Sequence, residues 1–578
     1  MDCLFSENGK IEGHTLKAQL RAKALTFTGR PMSLLPRPLR IAHPWLHYTG
    51  LLLMVAGLPF SMLLMSLSQF FIGGNWILEG NYLEKWKRFR ANPAAWALCG
   101  IFLMLLPGML WTENWNDGLK LIRINLPFLI FPFVMASRPA LPESHYFSLL
   151  RLFHVSVFLA VLTCGFIGVP RWLSGEYSDI RQISLFISHI RFSLLIVLSM
   201  LLLIWAWIEK PYRWLRFEKL LMVAVFCTNL VFLLVLQSLN ALFIGLAVGL
   251  LWLMHHSWKR LGTTKTLIIA CIPVLMAGIA LFALRSVYKR YFEPAAVYAS
   301  ALPEKSSRGT PYRHELTVIE NGHYIFSFLA EPELRQAWAL RSKRSIDSTD
   351  AKGQPLLITA VRYLNSKGLR KDFDGLMQLS ETDIRYIEQG IANYKYTGFW
   401  GIRQRVYQLL YELDYLRRDG SNASGHSLLM KLEFWKNSLI LVSEHPLMGV
   451  GTGDIPDAFR EQYRKTGSWL DAQWWMTSHN QYLYIAVGLG IPGLLLFLFL
   501  WFWPAFKMRR FSYTPFRLFF GIAMLAMITE DMFNTQAGVS LVAFFYTFFL
   551  FGVPFKKAST GSISEASMSS ALGSPSAG

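Results

Sequence analysis

The stretch Leu220–Met254, LLMVAVFCTNLVFLLVLQSLNALFIGLAVGLLWLM, contains no Asp, Glu, Lys or Arg. A helix needs roughly 20 apolar residues to cross the hydrocarbon core of a bilayer. This run is long enough for two crossings, and Gln237-Ser238-Leu239-Asn240 is the polar interruption where the chain can turn. The rest of the chain has the same character. Of its 578 residues, 53% are hydrophobic, 15% aromatic and only 16% charged, a balance that a water-soluble core cannot absorb. Apolar runs near 46–58, 60–79, 94–112, 117–136, 146–168, 190–208, 219–237, 239–255, 266–284, 480–502, 516–532 and 537–553 predict an all-α polytopic membrane protein of about twelve spans.

Lys and Arg in short loops set the orientation, because basic loops are retained in the cytoplasm. They gather in the N-terminal arm (Lys17, Arg21, Lys23, Arg30, Arg37, Arg40), Lys85-Trp86-Lys87-Arg88, Arg213 to Lys219, Lys259-Arg260, Lys507 to Arg510 and Lys556-Lys557. With twelve spans both termini are cytoplasmic and the alternating loops face outward. The net charge of +20 is then a consequence of topology and requires no nucleic-acid partner. The expected organisation is a basic arm (1–44), nine spans (45–284), a large outward loop (285–478), three spans (479–555) and a disordered tail (556–578). The leading residues are mixed and basic, so the first span is expected to act as an uncleaved insertion signal. Cys3, Cys99, Cys164, Cys227 and Cys271 all lie outside the large loop, which therefore has neither a disulfide framework nor a cysteine metal site.

The large loop is expected to be helical. Ser380-Glu381-Thr382-Asp383 resembles a helix start, followed by Ile384, Ile387 and Ile391 at helical spacing. Arg403 to Arg418 and Leu428 to Ser443 are two further amphipathic runs, the second stopping at Glu444-His445-Pro446. The following turn, Gly449-Val450-Gly451-Thr452-Gly453, offers flexible backbone and amides that could hold an anion. Segment 300–425 shows no interpretable motif.

On this topology Arg181, Arg191, Lys431, His479, Glu530 and Asp531 converge on the outer face. A carboxylate pair at a span end is costly against lipid and should face a protein-lined, wet cavity. Taken alone, each of these residues has a plainer reading: a solvated helix end for the pair, and an interfacial residue for the histidine.

Four features occur together: Lys431 with Trp435, Pro446 to Gly453, His479-Asn480 in the run Ser478-His479-Asn480-Gln481-Tyr482-Leu483, and Gly490-Ile491-Pro492-Gly493. This block resembles the O-antigen ligase and O-antigen polymerase superfamily of bacterial membrane glycosyltransferases. The resemblance implies a GT-C-like helical fold with one large periplasmic loop in the inner membrane. It implies transfer of a glycan from undecaprenyl-diphosphate to lipid A core, another glycan or a protein, in an inverting reaction with neither cofactor nor metal. By the same resemblance His479 is the catalytic residue, Arg181, Arg191 and Lys431 bind diphosphate, and Asn480, Glu530, Asp531, Gly451 and Gly453 support the site. Diphosphate as a leaving group calls for fixed cations, and the attacking hydroxyl calls for a base that works near neutral pH.

The chain departs from the family in places. Arginine is usual where Lys431 stands, and the Ser-Arg pair of the eighth span is Ser238-Leu239-Asn240 here. The Arg-x-x-x-Leu motif fits both Arg181 with Leu185 and Arg191 with Leu195. Ligase and polymerase share the donor and differ in acceptor; the His-Asn and Gly-x-x-Gly spacing favours ligase. The rival from another class is a transporter of lipid-linked oligosaccharide, which would place ionisable groups near the midplane. His314, His323, His426 and His445 match no zinc signature.

Overall fold

The computed structural model describes residues 37–174, 176–177, 179–211, 216–292, 302–397, 401–418 and 424–553. The first 36 residues, Arg213, Lys556-Lys557 and the C-terminal tail lie outside them. The chain is mostly helical, and each apolar segment predicted above falls on a helix. The first group is α1 (Arg37–Phe60), α2 (Met62–Leu78), α3 (Tyr82–Arg90), α4 (Pro93–Leu103), α5 (Trp115–Asn125), α6 (Pro127–Ala136) and α7 (Glu143–Thr163). Then come α8 (His189–Glu209), α9 (Arg216–Val235) and α10 (Leu239–Phe292), the last broken at Gly262 (φ 78°). Among the described residues, seven helices are long and apolar enough to cross a membrane, and Met62–Leu78, Thr514–Thr529 and Gln536–Phe551 are shorter apolar ones.

The polar block opens with a hairpin, β1 (Arg313–Glu320) and β2 (His323–Leu329), followed by α11 (Glu331–Arg341), α12 (Leu356–Ser366) and α13 (Glu381–Glu388). Next are α14 (Gly401–Arg418), α15 (Ser427–Glu444) and α16 (Ile455–Lys465), and the chain returns to apolar helices in α17 (Gln481–Lys507), α18 (Thr514–Thr529) and α19 (Gln536–Phe551). Helix α19, AGVSLVAFFYTFFLF after its first residue, is apolar on every side, which suits a helix with protein all round it. Every residue from Ala537 to Phe551 is buried. Its rings pack on α6 and α7: Phe544 against Phe131 (5.6 Å), Phe545 against Phe153 (4.9 Å) and Phe548 stacked on Tyr146 (4.6 Å).

The hairpin is a two-stranded exception within an otherwise helical chain. Asn321 (φ 57°) and Gly322 (φ 80°) form the two-residue turn, and both need the positive φ that an Asn-Gly pair adopts most readily. In HYIFSFL the burial alternates, with Ile325, Ser327 and Leu329 buried, whereas in the preceding strand only Glu320 is. Elsewhere the helical reading holds. Ser380 caps α13 through a reciprocal box with Asp383, and α14 and α15 cover the two amphipathic runs. The lobe from 302 to 397 has its own core around Trp338, Tyr363, Leu364 and Ile387. Arg362, ion-paired with Glu320 inside the lobe (2.9 Å), joins it to α14 by placing its guanidinium 4.0 Å above the Tyr411 ring.

Helices α8 and α18 run antiparallel. Thr514 Oγ1, at the start of α18, donates to Glu209 Oε1 at the end of α8 (2.8 Å), and Glu530, just beyond α18, lies in the electrostatic field of Arg191 at the start of α8. The last turn of α19 is at the Glu209 end, where the Arg510 guanidinium donates to Leu550 O. The polar residues singled out in the sequence therefore meet at the opposite end from Glu209 and Arg510.

Candidate active site

Ser478-His479-Asn480 is the entry to α17. Asn480 is the N-cap, its Oδ1 accepting from Tyr482 N (3.0 Å) and Leu483 N (3.2 Å). Ser478 closes the turn on the other side: its Oγ donates to Asn480 O (2.8 Å) and accepts from Asn480 N (3.2 Å). Between them His479 has φ 46°, a left-handed conformation that histidine tolerates better than most non-glycine residues. The imidazole is thereby turned out of the helix start and stacks on Phe434 of α15, ring centroids 5.4 Å apart. Asn480→Ala removes the cap and is expected to destabilise the protein by about 0.5–2 kcal/mol. A thermal melt in detergent checks this, and an unchanged Tm would show that Ser478 alone holds the turn.

Glu530 and Asp531 follow the last turn of α18, both buried. His479 Nδ1 lies 3.8 Å from Glu530 Oε2 and 3.5 Å from Asp531 Oδ1. Asp531 Oδ2 is fixed by Thr477 Oγ1 and Asn534 Nδ2, each at 2.9 Å. Lys431 of α15 reaches the same point. Its Nζ donates to Thr529 O (2.9 Å) and sits 3.5 Å from Glu530 Oε1, so a cation meets the negative end of α18 as well as a carboxylate. Burial is the largest influence on His479 and opposes its protonation, but Glu530 and Asp531 together outweigh it and raise the pKa. For Glu530, burial again opposes the charge and is outweighed by His479, Lys431 and Arg191, so its pKa is lowered. The ring's other nitrogen, Nε2, faces the thioether of half-exposed Met476 (3.3 Å).

The two arginines differ. Arg181, in a short turn before α8, is held by Asp179 through Nε at 2.9 and 3.1 Å and Nη2 at 2.6 Å. Arg191 has a buried Nε with no hydrogen-bond partner among the described residues, and its charge acts on Glu530.

The glycine turn corrects an expectation. Its amides are engaged within the protein: Gly449 N to His445 O (3.1 Å), Val450 N to Val487 O (2.9 Å), Gly451 N to Gly488 O (3.0 Å), Thr452 N to Gly108 O (3.2 Å) and Gly453 N to Thr112 Oγ1 (3.2 Å). They are not available to an anion. Helix α17 breaks at Gly490 (φ 71°, ψ −177°), and the break releases the Val487 and Gly488 carbonyls to accept from the amides of the turn. Ile491 N answers by donating to Pro446 O (2.8 Å). A Cβ on Gly490 would lie 2.5 Å from Leu447 O, and one on Gly449 would strike the Gly488 carbonyl. The two glycine motifs are thus halves of one backbone joint, which fixes the end of α15 against α17.

Phe434, Thr477, Met476 and Asn534 belong to the site but were not singled out in the sequence. Phe434 could have been found, because it lies three residues after Lys431 on the same helical face. Asn240 donates to Thr529 Oγ1 (2.7 Å) and so supports the same helix end. Among the described residues, His479, Glu530 and Asp531 are the group whose ligand atoms converge, within 4.8 Å of one another. A divalent cation would accept that spacing, but the Lys431 ammonium already stands 3.5 Å from Glu530.

Residues 398–498, which hold Lys431, the glycine turn, His479-Asn480 and the break at Gly490, match the family model described as O-Antigen ligase. No curated protein matches the chain. The matched segment supplies the histidine and the lysine of this cluster, and over these residues the chain is similar to the O-antigen ligase superfamily.

Proposed function

We propose that the protein is an O-antigen ligase-type glycosyltransferase that moves a glycan from undecaprenyl-diphosphate to lipid A core, or a similar acceptor, at the outer face of the inner membrane. The observation that carries this reading is the meeting of His479, Glu530, Asp531 and Lys431 at the end of the helix bundle that also presents Arg191. The basic loops Lys85 to Arg88 and Lys507 to Arg510 support a topology of about twelve spans, with residues 285–478 outward and a GT-C-like arrangement. Charged groups gathered at one end beside a large lobe disfavour a midplane transport site.

The chemistry follows from the geometry. An acceptor hydroxyl approaches Nε2 of His479, whose Nδ1–H is oriented by the two carboxylates. As its oxygen bonds to the anomeric carbon, the proton passes to Nε2, and the electrons of the breaking C–O bond leave with the diphosphate. Arg191, which has unused donor capacity, and Lys431 meet that charge. Attack opposite the leaving group inverts the anomeric centre. Arg181, already spent on Asp179, acts at a distance.

Because neutral imidazole is the active form, the acid limb of the rate profile is expected above the ordinary histidine value. In Glu530→Gln a group that raises the pKa is lost, so the limb moves to lower pH. A limb that stays put or moves upward would remove His479 from the role of base. Transfer is expected to survive exhaustive EDTA treatment; a loss restored by Mg²⁺ or Mn²⁺ would instead make the His479 cluster a metal centre.

The ligase reading is tested in cells lacking the protein, by a gel of surface glycolipid with the undecaprenyl-linked pool analysed alongside. Bare lipid A core with long polymer stranded on undecaprenyl-diphosphate is expected. Core carrying single repeats would make the protein a polymerase, the alternative that shares this donor and this site.

A further inference from the structure

An open cleft of about 490 Å³ separates the turn before α8 from the 302–397 lobe, within the roughly 300–1,000 Å³ range of small-ligand sites. One wall is Glu176, Tyr177, Gln182 and Ser184, and the other is Ala351 and Gln389. We propose that this cleft binds a hydroxyl-rich oligosaccharide and is the glycan subsite of the transfer reaction, an assignment that rests on the transferase reading above.

The lining chemistry selects that class. Beyond the contacts they already make, in which Gln182 Oε1 accepts from Asp179 N, Ser184 Oγ donates to Ile187 O and Glu176 lies 3.8 Å from Arg171, two primary amides, a hydroxyl and a carboxylate retain donors and acceptors for sugar hydroxyls. Tyr177, its hydroxyl taken by Arg171 Nη1 at 3.2 Å, contributes its ring to the wall, an apolar surface beside polar groups. The lining residues include no lysine or arginine to select phosphate, and they are too polar for a lipid tail.

Both walls are built before a ligand arrives. Asp179 and Gln182 cap the short turn reciprocally. Across the cleft, Asp350 Oδ1 accepts from Lys352 N (2.8 Å) and Gln354 N (3.0 Å), and Ala351 N donates to Glu388 O (2.9 Å). Such rigidity lowers the ordering cost of binding.

The cleft also lies in the right place. His189, at the start of α8, is in the electrostatic field of Asp179 and Arg181 on the cleft side and of Glu530 and Arg191 on the site side. On this proposal a chain of sugars held between the walls runs past the start of α8 toward Glu530. The glycan could belong to the donor or to the acceptor, since both are oligosaccharides.

The test uses full-length protein in detergent micelles and saturation-transfer NMR with two soluble probes. One is the oligosaccharide released by mild acid from the host's undecaprenyl-diphosphate pool, and the other is the core oligosaccharide released in the same way from lipid A. Wild type and His479→Ala are expected to bind one of them. Ala351→Trp, which fills the cleft, should abolish that signal, and the smaller change Gln389→Ala should weaken it with Tm unchanged. The probe that binds identifies the source as donor or acceptor. If neither probe binds wild type, or both variants bind as wild type does, the subsite is overturned. Binding that depends on Ala351 in a protein that transfers no glycan would sink the transferase reading alone. Transfer that both variants leave untouched would sink the cleft alone.

Discussion

Replacing His479 by alanine is expected to lower kcat for glycan transfer by about 10²–10⁴-fold, the usual contribution of a positioned acid or base, with the protein still folded and inserted. The protection of the fold has a structural reason. His479 makes ionic contacts at 3.5 and 3.8 Å and a ring stack on Phe434, while the turn around it is held by Ser478 and Asn480 through hydrogen bonds that do not involve the imidazole. Alanine also bears the positive φ at this position less readily than histidine does, which sets a small stability loss of about 1 kcal/mol. Purified variants assayed with extracted undecaprenyl-linked glycan and core acceptor decide the matter. Full transfer activity in a normally inserted His479→Ala protein would end its assignment as base, whatever the cluster's geometry.

Gly490→Ala is expected to have the largest effect on stability. At φ 71° and ψ −177° the backbone is in a region that is essentially glycine's alone, worth of order 1–3 kcal/mol to any other residue. The added Cβ would also press on Leu447 O at 2.5 Å, the backbone of the opposing motif. Relief requires the joint to open, which strands the carbonyls of buried Val487 and Gly488. The combined cost is about 3 kcal/mol or more, enough to lower Tm sharply or prevent accumulation in the membrane. Gly73→Ala in α2 is the control. It has ordinary helical backbone and nothing within 4 Å of the new Cβ, and a gain of about 0.5–1 kcal/mol is expected from helix propensity. Equal melts for the two variants would show that the glycine joint carries no load.

The sequence by itself determined the apolar helices, because a run such as Leu220–Met254 has no alternative to helical structure in a bilayer. It also determined three local devices that depend only on near neighbours: the Ser380–Asp383 box, the end of α15 near Pro446 and the Asn480 cap. The Asn321-Gly322 turn was equally legible, yet the helical character of its surroundings masked it. Tertiary structure decided the rest. Arg181 and Arg191 satisfy the same spacing rule, and they are told apart by whether an Asp179 lies within reach of the guanidinium. The glycine turn looked like an anion cradle because a sequence lists amides without their acceptors; two of those acceptors are the carbonyls released 37 residues later, where α17 breaks, and two others lie on Gly108 and Thr112. Lys431, His479 and Glu530 are 99 residues apart from first to last. Only the packing of α15 and α17 against the end of α18 makes them one site.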